Sequence, residues 1–305
     1  GEGGVKPLIS VLRGDDQTAR EQAAAALHLL AKGCRPAQKD IARSGGIMPL
    51  INIVDANVGP NESEGAREHA AAAISDLALV DDNRDQIVGV GGIPPLVQLV
   101  INGRDVGRQF AASALARLAN DSDEFAAQIA EAGAISPLVN LLSGACGDEA
   151  QEEAAGALYA LAHNASNRLE ITEAGGIGPL VQLLGTTNSK ARDHAEGALV
   201  RLSIENANRV LIIKKLVDML QDSGTTAQEQ AAAALSNLAR ESANNRKSIV
   251  DAQGIGPLLA LLDSASNKAK ENSVGAITHL CRKYDNTQVE EKLSKDNQSV
   301  IARAG

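Results

Sequence analysis

Hydrophobic and polar positions along this chain recur in three beats. A well-formed copy opens on a polar stretch at Asn83-Arg84, long enough for a short helix. Gly91-Gly92 follows, and then Ile93-Pro94-Pro95-Leu96-Val97-Gln98-Leu99-Val100, in which Leu96, Val97, Leu99 and Val100 give a second short helix its apolar stripe. The third and longest beat, around Gly107 to Asn120, reads Ala111-Ala112-Ser113-Ala114-Leu115-Ala116-Arg117-Leu118-Ala119. The pattern predicts a unit of short helix, glycine turn, short helix, loop and long helix, with no strand.

That unit repeats. Copies of the glycine motif stand at Gly3-Gly4-Val5-Lys6-Pro7-Leu8, Gly45-Gly46-Ile47-Met48-Pro49-Leu50, Gly133-Ala134-Ile135-Ser136-Pro137-Leu138, Gly175-Gly176-Ile177-Gly178-Pro179-Leu180 and Gln253-Gly254-Ile255-Gly256-Pro257-Leu258. From Pro7 through Pro49, Pro95, Pro137, Pro179 and the aligned Lys215 to Pro257, successive gaps are 42, 46, 42, 42, 36 and 42 residues. A period of that size predicts stacked helical units, each burying its apolar face on its neighbours. The repeats read 3–44, 45–90, 91–131, 132–174, 175–207, 208–252 and 253–295, and 296–305 begins a further, truncated one. All of 1–305 is then one array. Ile301-Ala302-Arg303-Ala304-Gly305 resembles Ile41-Ala42-Arg43-Ser44-Gly45, so the array is expected to be cut at both ends. Uncapped ends carry the further expectation of end-to-end self-association.

Local chemistry supports the elements. One glycine of each pair can take positive φ, and the proline lies in the first turn of the next helix, where backbone N–H groups lack partners anyway. Asn-Arg recurs at Asn83-Arg84, Asn167-Arg168, Asn208-Arg209 and Asn245-Arg246, where asparagine is expected to cap the first helix. Two repeats depart. The second carries an insertion across Asp55 to Gly65, and the sixth has no glycine or proline between Asn208 and Leu216. Its first two helices are expected to merge or meet at a bare kink, with a local break in the array between repeats five and six.

The three-helix unit resembles the armadillo repeat, the family of importin alpha, beta-catenin and the vacuolar and U-box armadillo proteins. A two-helix array of the HEAT type would not require the glycine–proline motif in register. The resemblance implies an all-α, right-handed armadillo superhelical solenoid of about seven repeats. It also implies a non-catalytic interaction scaffold holding a partner peptide or helix in a concave groove lined by the long helices. Two other functions fit the same section. One is the substrate-recruiting part of a larger enzyme such as a U-box ubiquitin ligase, and the other is a nuclear transport adaptor.

Composition narrows the picture. Two Phe, two Tyr and no Trp leave Ala, Leu, Ile and Val to fill the core, and a net charge of −9 disfavours nucleic acid or an anionic membrane as partner. No run approaches a membrane span. Cys34, Cys146 and Cys281 have no paired spacing and suggest reduced thiols in a cytoplasmic or nuclear compartment. His28, His69, His163, His194 and His279 fall in different repeats without metal-ligand spacing, and no glycine pair precedes Gly-Lys-Ser/Thr. The chain is therefore expected to be no enzyme, with no cofactor and no metal.

Candidate groove residues follow from aligning the long helices on Ala-Leu-x-x-Leu. One position reads Leu29, Asp76, Arg117, Ala160, Arg201, Asn237 and His279. In the importin-alpha pattern it would be Asn, four residues after Trp; only Asn237 matches and every Trp is missing, which disfavours the transport adaptor. Arg117 and Arg201, with Tyr159 between them, form a candidate basic and aromatic anchor, extended by Asn237, His279 and Asp76. The alternative is that the arginines neutralise neighbouring carboxylates. Eight residues upstream runs an acidic ladder, Glu21, Glu68, Gln109, Glu152, Asp193, Glu229 and Glu271, expected in the first turns of the long helices, where carboxylates stabilise the macrodipole.

Overall fold

The computed structural model describes residues 3–57, 62–143, 146–222, 224–282 and 288–304. These residues are helical with no strand among them, and they pack as two compact units, Gly1–Gly175 and Gly176–Gly305. Residues 58–61 of the second-repeat insertion lie outside the described residues.

In the first unit, short α1 (Val5–Leu12) leads to long α2 (Gln17–Ala31). Three triads follow: α3 (Arg35–Arg43), α4 (Ile47–Val54) and α5 (Glu64–Leu77); α6 (Asp81–Gly89), α7 (Ile93–Asn102) and α8 (Asp105–Ala119); α9 (Asp123–Glu131), α10 (Ile135–Ser143) and α11 (Gly147–Leu161). Short α12 (Ala165–Glu173) ends the unit. Each long helix packs on the next, α2 on α5, α5 on α8 and α8 on α11, while α1, α4, α7 and α10 each cover the long helix of their own repeat. Alanine makes the long-helix contacts close: Ala70, Ala71, Ala73, Ala111, Ala112, Ala154 and Ala155 are all fully buried. Leu27, Ile74, Leu115 and Leu158 hold one equivalent core position and are equally buried, each worth about 1.5–3 kcal/mol.

The second unit comprises α13 (Ile177–Leu183), α14 (Ser189–Leu202), α15 (Asn206–Asp222), α16 (Thr225–Glu241), α17 (Ala243–Asp251), α18 (Ile255–Ala260) with a 3-10 turn at Leu261–Asp263, α19 (Asn267–Cys281) and α20 (Gln288–Ala304). As the missing glycine turn implied, α15 is one 17-residue helix where other repeats have two. Long helices α16 and α19 pack closely, whereas α14 and α16 make only sparse contact. Helix α20 packs on α17, α18 and α19, the place a following first helix would take.

The glycine motif is a helix-ending device. Gly45, Gly91, Gly133 and Gly175 have φ of 76°, 77°, 80° and 78°. The next residue then donates its N–H back into the finished helix, Gly46 to the Ile41 carbonyl at 3.0 Å and Gly92 to that of Ile87 at 2.9 Å, which is the Schellman arrangement. The seventh repeat makes the same turn without the glycine: Gln253 has φ 61°, and Gly254 still donates to Ile249 at 2.9 Å.

The expected role of Asn-Arg needs correction. Asn83, Asn167 and Asn245 lie inside α6, α12 and α17, buried, and cap nothing. The caps are Asn164 on α12 and Ser242 on α17, whose side chains accept backbone N–H groups. The buried asparagine instead donates to the end of the preceding long helix. Asn83 Nδ2 reaches the Leu77 carbonyl at 3.0 Å, Asn167 that of Leu161 at 3.1 Å and Asn245 that of Leu238 at 2.8 Å. The adjacent arginine takes the next carbonyl, Arg84 on Ala78 at 3.3 Å, Arg168 on Ala162 at 3.2 Å and Arg246 on Ala239 at 2.8 Å. Gln38 does the same on Ala31 at 2.9 Å, and Asn297 of α20 on Leu280 at 2.8 Å.

Two predictions follow from these turns and clasps. Gly91→Ala is expected to cost about 1 kcal/mol, because its Cβ meets nothing within 4 Å and the loss is conformational, while Gln253→Gly, exposed and at φ 61°, gains about 0.5–1 kcal/mol. Urea denaturation of each variant measures both; a gain at Gly91 or a loss at Gln253 contradicts the turn analysis. Asn167→Ala strips a donor from the Leu161 and Ala126 carbonyls and should cost about 1–3 kcal/mol, with faster amide exchange in α9 and α12.

Candidate long-helix surface

Every predicted groove residue sits on a long helix and is half-buried. In the first unit, Asp76 is on α5, Arg117 on α8 and Tyr159 on α11. The structure brings two of them together: Arg117 Nη1 lies 3.3 Å from Asp76 Oδ1, with the side chains 31% and 14% exposed. Arg117 therefore neutralises a carboxylate one repeat away, which is the second of the two readings its sequence context allowed. Partial burial makes this pair firmer than an ordinary surface ion pair.

In the second unit, Arg201 is on α14, Asn237 on α16 and His279 on α19. Asn237 is engaged at both ends of its amide: Nδ2 donates to Glu196 Oε1 at 3.0 Å, and Oδ1 accepts from Arg240 Nη2 at 3.3 Å. Burial holds His279 below the ordinary histidine range, and Arg240, Arg282 and Arg246 push it further down. At neutral pH it is an uncharged donor and acceptor.

Two members of the acidic ladder are structural, but not in the way their position suggested. Carboxylates in the first turns are other residues, Glu64, Asp105, Asp148 and Glu149. Ladder residues stand a turn deeper, and two of them, Glu21 and Glu229, reach the next repeat. Ser63, the cap of α5, donates its hydroxyl to Glu21 Oε2 at 2.5 Å, and Ser266, the cap of α19, donates to Glu229 Oε1. Beside the first of these, Arg20 pairs with Glu62 at 2.8 Å, so the exit of the second-repeat insertion is fastened to α2. Burial, reinforced by Glu64, raises the Glu68 carboxyl above its ordinary value, and His69 and Arg104 oppose the rise.

Sequence spacing missed one cluster. The rings of His28 on α2 and His69 on α5 stand 6.5 Å apart, and Phe110 on α8 meets His28 edge-on at 5.6 Å. The signal was available: His69 and Phe110 occupy one helical position 41 residues apart. Burial lowers the His28 pKa; Asp76 opposes it, while Lys32 and His69 add to the lowering. No group of three or more His, Cys, Asp or Glu side chains among the described residues could hold a metal. The three cysteines are free. A separate pocket of about 220 Å³ lies between the short helices α7 and α10, where Arg108 Nη1 stands 3.4 Å from Cys146 Sγ. No single described helix is long and apolar enough to cross a membrane.

A family model, the Armadillo/beta-catenin-like repeat, matches residues 211–240 and 242–282, covering α16 to α19 and most of α15. A designed armadillo repeat protein in complex with the peptide (KR)4 shares the fold at TM-score 0.61 and 22% identity, over 91% of this chain and 99% of its own. The chain has the armadillo-repeat fold, and residues 211–282 match the armadillo repeat in sequence as well. An engineered protein of known crystal structure is similar at 29% identity and TM-score 0.72, over 97% of this armadillo chain and 72% of the other. U-box domain-containing protein 12 of Arabidopsis thaliana is 33% identical over 101 residues. The match takes in 33% of this armadillo chain and spans 15% of that relative's length.

His28 yields a pH prediction. Its folded pKa is depressed, so below the unfolded value of 6.5 the unfolded chain takes up a proton that the folded one resists, and stability falls as pH drops. The His28→Gln chain lacks that loss, so its stability relative to wild type should rise steadily from pH 7 to pH 5. A pH-independent difference would overturn the assignment.

Proposed function

We propose that this armadillo chain is a non-catalytic scaffold whose long-helix surface holds a partner peptide or helix. The observation that carries the reading is that half-buried polar residues recur at one position of the long helices, Asp76 and Arg117 in the first unit and Arg201, Asn237 and His279 in the second. Core packing requires none of them there. Leu29, at the same position in the first repeat, is 70% exposed. Arg and Tyr anchor interfaces well because they combine apolar area with directed hydrogen bonds, and Tyr159 and Arg201 carry that role here. The designed armadillo repeat protein in complex with (KR)4 supports peptide binding as a use of this fold. In this chain, Arg117 is already matched to Asp76, so a partner re-pairs existing charges instead of meeting bare ones.

A second reading rests on the U-box relative. The chain would then be the substrate-recruiting section of a larger ubiquitin ligase, with the same surface doing the recruiting. Both readings are tested by selecting peptides on the wild-type chain from a displayed library and titrating them against variants. Tyr159→Ala and Arg201→Ala should each weaken binding about tenfold, a loss of about 1.4 kcal/mol, with helicity unchanged by circular dichroism. Full affinity in both variants would place the partner elsewhere.

A further inference from the structure

The second unit contains a crevice between α14, α15 and α16. It lies where α14 and α16 fail to pack closely, and it reaches down to the merged helix α15. Leu199 and Val200 of α14 and Ala234 of α16 form its sides, and Ile212 and Leu216 of α15 its floor. Its free volume is about 20 Å³, enough for one or two groups the size of a water molecule or a methyl. Ile212 and Leu216 are each 1% exposed, whereas Val200 at the rim is 39% exposed, and Ile204 one turn beyond it is 62% exposed. Apolar surface thus continues outward from the crevice instead of ending at it.

Its charged lining is of one sign. Glu196 and Glu241 line the crevice, and no basic side chain does. Glu196 accepts from Asn237, but Glu241 makes no hydrogen bond or ion pair with the described residues. Burial raises the Glu241 carboxyl; Arg240 opposes that and Glu196 adds to it. An arriving cation would therefore find, beside an apolar slot, a carboxylate with no hydrogen bond or ion pair to the described residues.

We infer that this crevice docks a partner segment presenting a branched aliphatic side chain with a lysine or arginine immediately beside it. The terminal methyls of the aliphatic group enter between Val200 and Ala234 while the rest of it lies against Val200 at the rim, and the cation meets Glu241 and Glu196 at the lining. This inference rests on the long-helix surface being a partner-binding surface, and it names both the place and the partner's chemistry. It differs from the Asp76–Arg117 region, where both charges are already matched.

Methyl-labelled full-length chain, titrated with capped dipeptides and followed by NMR, tests it. Acetyl-leucyl-lysine amide should produce saturating shifts at the Leu199, Val200 and Ile212 methyls. Replacing its leucine by alanine should weaken binding about tenfold, as expected for losing a buried isobutyl group, and replacing its lysine by glutamate should weaken it at least about threefold. Glu241→Gln should remove most of the lysine preference, and Val200→Arg should abolish the shifts while circular dichroism stays unchanged. Equal binding of the leucine and alanine probes, or no saturating shift at these methyls, overturns the proposal. Peptides selected on the wild type separate the two levels. If they lose affinity with Arg201→Ala but keep it with Val200→Arg and Glu241→Gln, the crevice proposal fails and the long-helix reading stands.

Discussion

Much of the structure depends on how the long helices end. The last four carbonyls of any α-helix have no donor of their own, and here those ends are covered by the next repeat, where water cannot serve them. Leaving one such group unsatisfied costs about 1–3 kcal/mol. The next first helix supplies the donors: a buried asparagine takes one carbonyl and its neighbouring arginine the following one, at Asn83-Arg84, Asn167-Arg168 and Asn245-Arg246. The clasp also fixes register. Asn83 and Asn167 donate a second time, to Gln38 and Ala126 of the first helix one repeat back, so one amide joins three helices. Apolar packing alone would tolerate sliding, because alanine meets alanine almost anywhere along these helices; directional hydrogen bonds do not.

The opposite ends of the long helices are handled by a different device with the same logic. Ser63 and Ser266 cap α5 and α19 with their side chains, and each also donates its hydroxyl to a glutamate on the preceding long helix. A hydroxyl can do both because it accepts through oxygen and donates through hydrogen. The acidic residues expected to complement the helix dipoles are, at Glu21 and Glu229, braces between repeats. Part of the net charge of −9 is thereby built into the stack instead of displayed.

The fold was legible because its signals are backbone signals repeated many times. Positive φ at Gly91, apolar spacing in α7 and alanine runs in α8 each dictate local geometry, and the 42-residue recurrence rules out chance. The merged α15 was legible for the same reason, by the absence of a turn. The surface was less so. Whether Arg117 points at a partner or at Asp76 depends on a residue 41 positions away, and Asn237 finds Glu196 across the same distance. Asn-Arg was misread as a cap because capping is a local rule, whereas the clasp is a contact between elements that the sequence does not display. His28, His69 and Phe110 share no local motif, because their ring contacts run between repeats and only the repeat period relates His69 to Phe110.

Repeat six shows how a local deletion becomes a feature of the surface. Without a glycine to end the first helix, the chain from Asn206 to Asp222 stays one rod, and a rod cannot fold back to present two short helices at an angle. The long helices on either side, α14 and α16, then lose the close alanine-mediated contact that joins α16 to α19. Asn237 and Glu196 still bridge the gap at 3.0 Å, because a polar pair of long side chains spans a distance that two methyl groups cannot. What remains beneath that bridge is apolar and only partly covered, with Val200 exposed at its edge. Regularity stabilises the rest of the array by matching each apolar face to another. Here the match is incomplete, and an incompletely matched apolar face beside a carboxylate with no hydrogen bond or ion pair to the described residues is the surface that the proposed partner would complete.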